Sequence, residues 1–249
     1  MVDATRLDKS VTQLSDKPQH FIWIGHGSIQ PPWRSCRITK SPNGGSLKCD
    51  LRLPSLNEIA ITGNTKMAFI VHNHDTASAP SRDILDRAEL KFGFIPNLMG
   101  VMAESPATLK AYFALAGLFD ETSLTPTERQ IVLLTVSYEN GCGYCMAAHS
   151  VIARMQKVPE NVIKSIRKGR PLEDHRWEAL RHFTKSVIDQ RGFASKETID
   201  SFLQAGYRKE NILEVIFGIS FKTLSNYTNH ITETPLDDAF DTDKWTKAG

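Results

Sequence analysis

From Ser81 onward, apolar residues recur at helical spacing, and a glycine, an Asn-Gly pair or a proline closes each run; no strand-like alternation of useful length occurs. A chain patterned in this way has only helices with which to bury its apolar faces. The pattern therefore predicts an all-α fold, a multi-helix bundle of about 170 residues with short connections. The spacing predicts helices over 82–92, 106–119, 126–138, 142–155, 159–168, 174–190, 195–205 and 209–230. Gly93-Phe94-Ile95-Pro96-Asn97, Asn140-Gly141, Gly169, Gly192 and Gly206 are the stops. Thr125 is a good N-cap, Pro126 suits the first helical position, and Glu128 completes a capping box.

Residues 1–66 differ in character. They hold Pro31-Pro32, Ser41-Pro42-Asn43-Gly44-Gly45 and Leu53-Pro54, with one isolated apolar cluster, Phe21-Ile22-Trp23-Ile24, and no sustained period. At Met67 the character changes, and Met-Ala-Phe-Ile-Val would serve as a protein start. The segment 1–66 is expected to be either a disordered extension or upstream sequence translated from a misplaced start, without a packed domain. On that reading His20, His26, Cys36 and Cys49 are incidental, and 67–249 is the helical domain.

The formal charge is only +2, which gives no electrostatic case for nucleic acid or a membrane surface. Even that charge is local: residues 1–66 carry nine Lys/Arg against five Asp/Glu, and the rest 21 against 23. The longest apolar runs, such as Ile131-Val132-Leu133-Leu134, fall far short of the roughly 20 residues that span a bilayer. The first residues lack the apolar stretch of a secretory signal. Four cysteines are too few for a disulfide scaffold at this length, so a cytoplasmic protein is expected.

Two of the four, Cys142 and Cys145, form a Cys-x-x-Cys pair, with His149 four residues on. On a helix, spacings of three and four bring all three side chains to one face. Asn140-Gly141 sets Cys142 at or near a helix N-terminus, where unpaired N–H groups and the helix dipole favour a thiolate. A nearby imidazole can take the thiol proton or stabilise the anion. Three readings are open on these residues alone: a redox dithiol, a buried reduced pair, or three ligands of a zinc ion that lacks its fourth. A thioredoxin-type site needs a strand before the pair, and here a capped helix precedes it.

The stretch Leu124-Thr-Pro-Thr-Glu-Arg-Gln-Ile-Val-Leu-Leu-Thr-Val-Ser-Tyr-Glu-Asn-Gly-Cys-Gly-Tyr-Cys-Met-Ala-Ala-His-Ser150 resembles the alkylhydroperoxidase D branch of the carboxymuconolactone decarboxylase family. Phe94-Ile-Pro-Asn-Leu98, Asn226-Tyr-Thr-Asn-His230 and Pro235-Leu-Asp237 resemble peroxidase-related members of that branch, and the similarity runs over about residues 68–240. The resemblance implies a thiol-dependent peroxidase or disulfide reductase with no bound cofactor or metal. Cys145 would be the peroxidatic thiolate, Cys142 the resolving thiol and His149 the relay histidine. The substrate would be a hydroperoxide, the reductant a dithiol of unknown identity, and the assembly a homo-oligomer, trimer or hexamer. A redox sensor with little turnover is the alternative, and a decarboxylase-type lactone enzyme is disfavoured because that branch lacks the pair.

One position departs from the resemblance: the relay carboxylate would stand twelve residues before the first cysteine, where this chain has Gln130. Deprotonation of Cys145 is then expected to rest on His149 or on another carboxylate such as Glu139, with a modest rate at neutral pH that rises with pH. Tyr144 is expected to shape the pocket through its ring rather than its hydroxyl. Asn226 and His230 are candidates for lining the site or a subunit contact. His72 and His74 are expected on a solvated arm, and His175 and His182 in packing or surface roles.

Overall fold

The computed structural model describes residues 69–247; the expectation for 1–66 lies outside them. Among the described residues there are nine α-helices and no strand. They are α1 (Ala79–Phe92), α2 (Asn97–Met102), α3 (Pro106–Asp120), α4 (Pro126–Glu139), α5 (Gly143–Met155), α6 (Glu160–Arg167), α7 (His175–Asp189), α8 (Lys196–Gln204) and α9 (Lys209–Thr232), and a 3₁₀ helix, Asp238–Asp243, follows. The expected all-α fold is the one observed.

Local chemistry sets these boundaries. The side chains of Ser105, Asp174 and Ser195 accept hydrogen bonds from the backbones of Thr108, Trp177 and Thr198, capping α3, α7 and α8. Thr125 and Glu128 make the expected capping box at the start of α4. Glu128 does more than cap: its other carboxylate oxygen accepts from Tyr207 Oη at 2.9 Å and from Arg176 at 3.2 Å. That tie holds α4 to the stacked rings of Phe183, Phe202 and Tyr207 at the far end of the bundle.

Helix α4 is the axis of the fold. It packs against α5, α6, α7 and α9, and every residue from Gln130 to Ser137 is buried. A helix apolar on all sides belongs inside a bundle rather than on its surface. Helix α9 crosses it closely at Gly218, where a Cβ would stand 2.8 Å from both Phe119 Cζ and Val132 Cγ1. Any side chain there would push α9 outward, and Lys222 lies one turn further along.

Two elements were not anticipated. Helix α2 is only six residues long and starts on Pro96, inside the stretch read as a break. The 3₁₀ helix packs on α5 and is fastened by Arg154 Nη1 to Asp243 Oδ2 at 2.6 Å. Trp245 Nε1 donates to Arg167 O at 2.8 Å. The solvated-arm reading of His72 and His74 is corrected. His72 N donates to Gly100 O, its ring binds Glu104 at 2.8 Å, and His74 bridges Asp86 and Glu89. His175 and His182 are exposed. No helix among the described residues is long and apolar enough to cross a membrane.

Candidate active site

The turn Asn140-Gly141 ends α4, and Cys142 N donates back to Ser137 O at 2.9 Å. Cys142 is the N-cap of α5, as its spacing predicted. Gly143 is the only kind of residue that fits next: a Cβ there would stand 2.8 Å from Trp245 O, because the C-terminal segment lies against the first turn of α5. Neither cysteine is in a disulfide, and each is 1% exposed.

One face of α9 meets them, made of Lys222, Ser225, Asn226 and Asn229, all buried. Asn229 Nδ2 donates to Cys145 Sγ at 3.2 Å and reaches Cys142 Sγ at 3.9 Å. Ser225 Oγ lies 3.7 Å from Cys145 Sγ. Asn140 Nδ2 donates to Asn226 Oδ1 at 2.9 Å, which orients that carboxamide. Its Nδ2 and the Oδ1 of Asn229 are buried without a hydrogen-bond partner among the described residues.

His149 does not hydrogen-bond to the thiols. Its Nε2 accepts from Lys222 Nζ at 2.8 Å, and its Nδ1 lies 2.9 Å from Gln130 Oε1. A lysine ammonium can only donate, so Nε2 is the acceptor and Nδ1 carries the hydrogen that Gln130 receives. Gln130 in turn donates from Nε2 to Gln156 Oε1 at 3.1 Å. With both ring nitrogens engaged inside the protein, the three-ligand zinc reading loses its histidine, and no cluster among the described residues could hold a metal ion.

The charges follow from this geometry. Burial works against ionisation of Cys145. The hydrogen bond from Cys142, the Lys222 charge and the groups of Ser225 and Asn226 outweigh it, so its proton affinity falls well below the ordinary thiol value. Cys142 moves the other way, mainly because it donates to Cys145 and also because it is buried. Burial, then the Lys222 charge, keeps His149 neutral. Burial also opposes the Lys222 charge, but attraction to Cys145, Tyr112 and Cys142 holds its proton more tightly than usual. These surroundings favour the thiolate form of Cys145 opposite the ammonium form of Lys222, and the thiol form of Cys142.

The Tyr144 ring stands in a cavity wall, and its hydroxyl is engaged in the packing around it. It donates to Asp237 Oδ2 at 2.5 Å and accepts from Leu98 N at 3.2 Å. Asp237 Oδ1 accepts from Asn97 N at 3.0 Å, and Pro235 O accepts from Asn97 Nδ2 at 3.1 Å. The sequence stretches Phe94–Leu98 and Pro235–Asp237 are therefore knotted together on the residue between the two cysteines. Glu139 is not part of the site: it pairs with Lys185 at 3.1 Å and Lys247 at 3.9 Å. His230 is exposed beside Tyr227, one position round the helix from the buried Asn229 face, so it does not line the site within this chain.

A cavity of about 50 Å³ opens on Cys145, His149 and Lys222, with Tyr112, Tyr144 and Phe240 among its walls. It shares Phe92, Met99, Tyr112, His149 and Ile152 with a cleft of about 350 Å³ that Phe113, Phe119 and Phe221 also line. Lys222, Ser225, Asn229 and Tyr112 were not singled out in the sequence. A lysine in a long amphipathic helix reads as solvated; the available signal was the spacing 222, 225, 226, 229, a polar stripe on the face that carries Val215 and Gly218.

Fold and site together define a helical thiol protein, a bundle in which a helix-borne Cys-x-x-Cys is covered by the polar face of a second helix. Residues 106–185 match the model of the carboxymuconolactone decarboxylase family, and the fold is alkylhydroperoxidase D-like. The fold is similar to the alkylhydroperoxidase AhpD core of an uncharacterized peroxidase-related protein from Ralstonia eutropha JMP134 (TM-score 0.62, 21% identity, 69% of this chain and 93% of that one). It is also similar to a peroxidase-related protein from Silicibacter sp. TM1040 (0.61, 17%, 70% and 93%). A third similar fold is that of a cysteine-to-alanine variant of the debrominase Bmp8 in complex with 2,3,4-tribromopyrrole (0.59, 20%, 71% and 96%). No curated protein matches the chain in sequence.

Proposed function

We propose that this protein is a dithiol peroxidase that reduces organic hydroperoxides through Cys145 and Cys142. The observation that carries the reading is the asymmetry of the pair. Cys145 lines the cavity with Lys222 and receives the Asn229 amide at 3.2 Å, whereas Cys142 does not line it. Their surroundings lower the proton affinity of the first and raise that of the second. The thiolate is the nucleophile in peroxide reduction. Its sulfur attacks the outer peroxide oxygen, the O–O bond breaks, and the products are a Cys145 sulfenic acid and an alkoxide that takes up a proton. Cys142 then loses its proton, its sulfur bonds to Cys145 Sγ, and the sulfenic oxygen leaves as water. A dithiol donor reopens the disulfide by exchange and is oxidised in turn.

The small cavity has room for the peroxide oxygens, and the aromatic cleft beyond it suits an apolar organic group. The homo-oligomer implied by the family resemblance is part of the reading, and sedimentation measures it. Thiol titration with mass spectrometry before and after addition of cumene hydroperoxide tests the chemistry. A Cys142–Cys145 disulfide is expected, and its absence rejects the proposal. Cys142→Ser should leave a sulfenic acid on Cys145 that dimedone captures; capture on Cys142 in Cys145→Ser reverses the two roles. Peroxide-dependent dithiol consumption at only stoichiometric yield would make the protein a redox sensor instead.

A further inference from the structure

We propose that Lys222 is the general acid and base of this reaction, filling the role that Gln130 leaves vacant. The inference rests on the peroxidase reading and extends it to the proton path. An alkoxide is a poor leaving group unless it is protonated as the O–O bond breaks, so an acid must stand within reach of the oxygen. His149 cannot be that acid: it is neutral, and its one N–H is given to Gln130. Gln130 carries no exchangeable acid proton at all, and Glu139 is paired with lysines elsewhere. Lys222 is 1% exposed, lines the cavity on which Cys145 opens, and hydrogen-bonds to the His149 acceptor.

An ammonium has three donors. His149 Nε2 fixes one, the Cys145 sulfur attracts a second, and the third is left for an oxygen in the cavity. The titratable groups that face Lys222 are Cys142, Cys145 and His149 from α5 and Tyr112 from α3.

The protons balance through this one side chain. The resting pair is a Cys145 thiolate and a Lys222 ammonium. Lys222 gives a proton to the alkoxide and becomes a neutral amine. It then takes the Cys142 proton as that sulfur attacks, and passes it to the departing hydroxide to make water. The disulfide state therefore holds a neutral Lys222. The dithiol donor restores the resting state with two electrons and two protons, one for Cys142 and one for Lys222. His149, oriented by Gln130, is a positioning residue that holds the amine toward the cavity.

The test compares two oxidants in single-turnover oxidation of Cys145. Cumene hydroperoxide expels an alkoxide that needs an acid, whereas peroxyacetic acid expels acetate, which does not. Rates are taken for the wild type, Lys222→Met and Lys222→Arg, each at a pH where ultraviolet absorbance shows the thiolate formed. Arginine keeps the positive charge but does not release a proton in proteins. Both variants are expected to lose on the order of 100-fold or more with the hydroperoxide and only a few-fold with the peracid. Equal losses with both oxidants overturn the inference and leave Lys222 as a thiolate counter-charge only. A loss confined to the hydroperoxide in Tyr112→Phe, absent in the lysine variants, also overturns it. If neither variant folds, the wild type decides: a solvent deuterium effect on the hydroperoxide reaction that is missing with the peracid is expected, and equal effects reject the assignment. A wild type that forms no disulfide with either oxidant rejects the peroxidase reading itself.

Discussion

Gln130 Oε1 accepts the Nδ1–H of His149 at 2.9 Å, and this bond decides which ring nitrogen is left to meet Lys222. Gln130 thus acts on the tautomer of its neighbour. In Gln130→Glu, the new carboxylate would stabilise a protonated ring, and the His149 proton affinity should rise from its depressed value. Nuclear magnetic resonance titration of the ring measures it. An unmoved titration would mean that residue 130 does not govern the imidazole.

The second prediction concerns Cys145. The sequence marks the helix N-terminus and His149 as groups that favour the thiolate, and with Gln130 at the relay position it predicts a rate that climbs with pH. Lys222 adds a buried positive charge, which acts against burial to lower the Cys145 proton affinity below the ordinary thiol value. Single-turnover oxidation by hydroperoxide should therefore level off at a lower pH than oxidation of an ordinary thiol, and climb much less than tenfold per pH unit from about pH 7 to 9. A tenfold rise per pH unit across that range would show that Cys145 rests as a thiol.

Stability should depend on pH through His149. Its folded proton affinity is lowered, so at pH values between that lowered value and 6.5 the unfolded chain binds a proton that the folded chain refuses. The His149 contribution is full above 6.5 and falls as pH drops through this window, by at most about 1.4 kcal/mol per pH unit for one proton, whereas the lowered Cys145 thiol adds its own dependence up to about 9. The depressed carboxylates Glu128 and Glu178 lose their contribution lower, below about 4.5. Denaturant unfolding of His149→Gln should show a flatter slope in the upper window alone. An unchanged slope there would assign the proton to another group.

Tyr144→Phe should cost about 1–3 kcal/mol, since it leaves the Asp237 carboxylate and the Leu98 N–H without their shared partner. The thiolate absorbance should not change, because the phenol does not hydrogen-bond to either sulfur among the described contacts. A loss of thiolate in the variant would place the tyrosine in the thiol chemistry rather than in the packing of α2.

Most of the helical body was readable because its punctuation is local. Gly93, Gly169, Gly192 and Gly206 all adopt positive φ after a helix, and Thr125, Asp174 and Ser195 all cap the next one with their own side chains. The chemistry of Cys142 at an N-cap was readable for the same reason. Helix α2 was not: six residues after Pro96 give less than two turns, too few for a period to show. The C-terminal 3₁₀ helix is held by Arg154 and Arg167 from other elements, a tertiary cause without a local trace. Lys222 was hidden by residue type, because burial of a lysine is compensated by partners brought in from other elements, Cys142, Cys145 and His149 with α5 and Tyr112 with α3. Asp237 and Tyr144 were each noticed, but their hydrogen bond joins residues 93 positions apart.

The attraction between Lys222 and Cys145 exists only while the sulfur bears a negative charge. On the proposed dithiol reading, closing a Cys142–Cys145 disulfide would abolish it, and among the described residues Tyr112 would be left as the group whose charge favours the ammonium. The pocket would then favour the dithiol over the disulfide, and the reduction potential would lie toward the oxidising end of the thiol scale, within reach of a weakly reducing thiol partner.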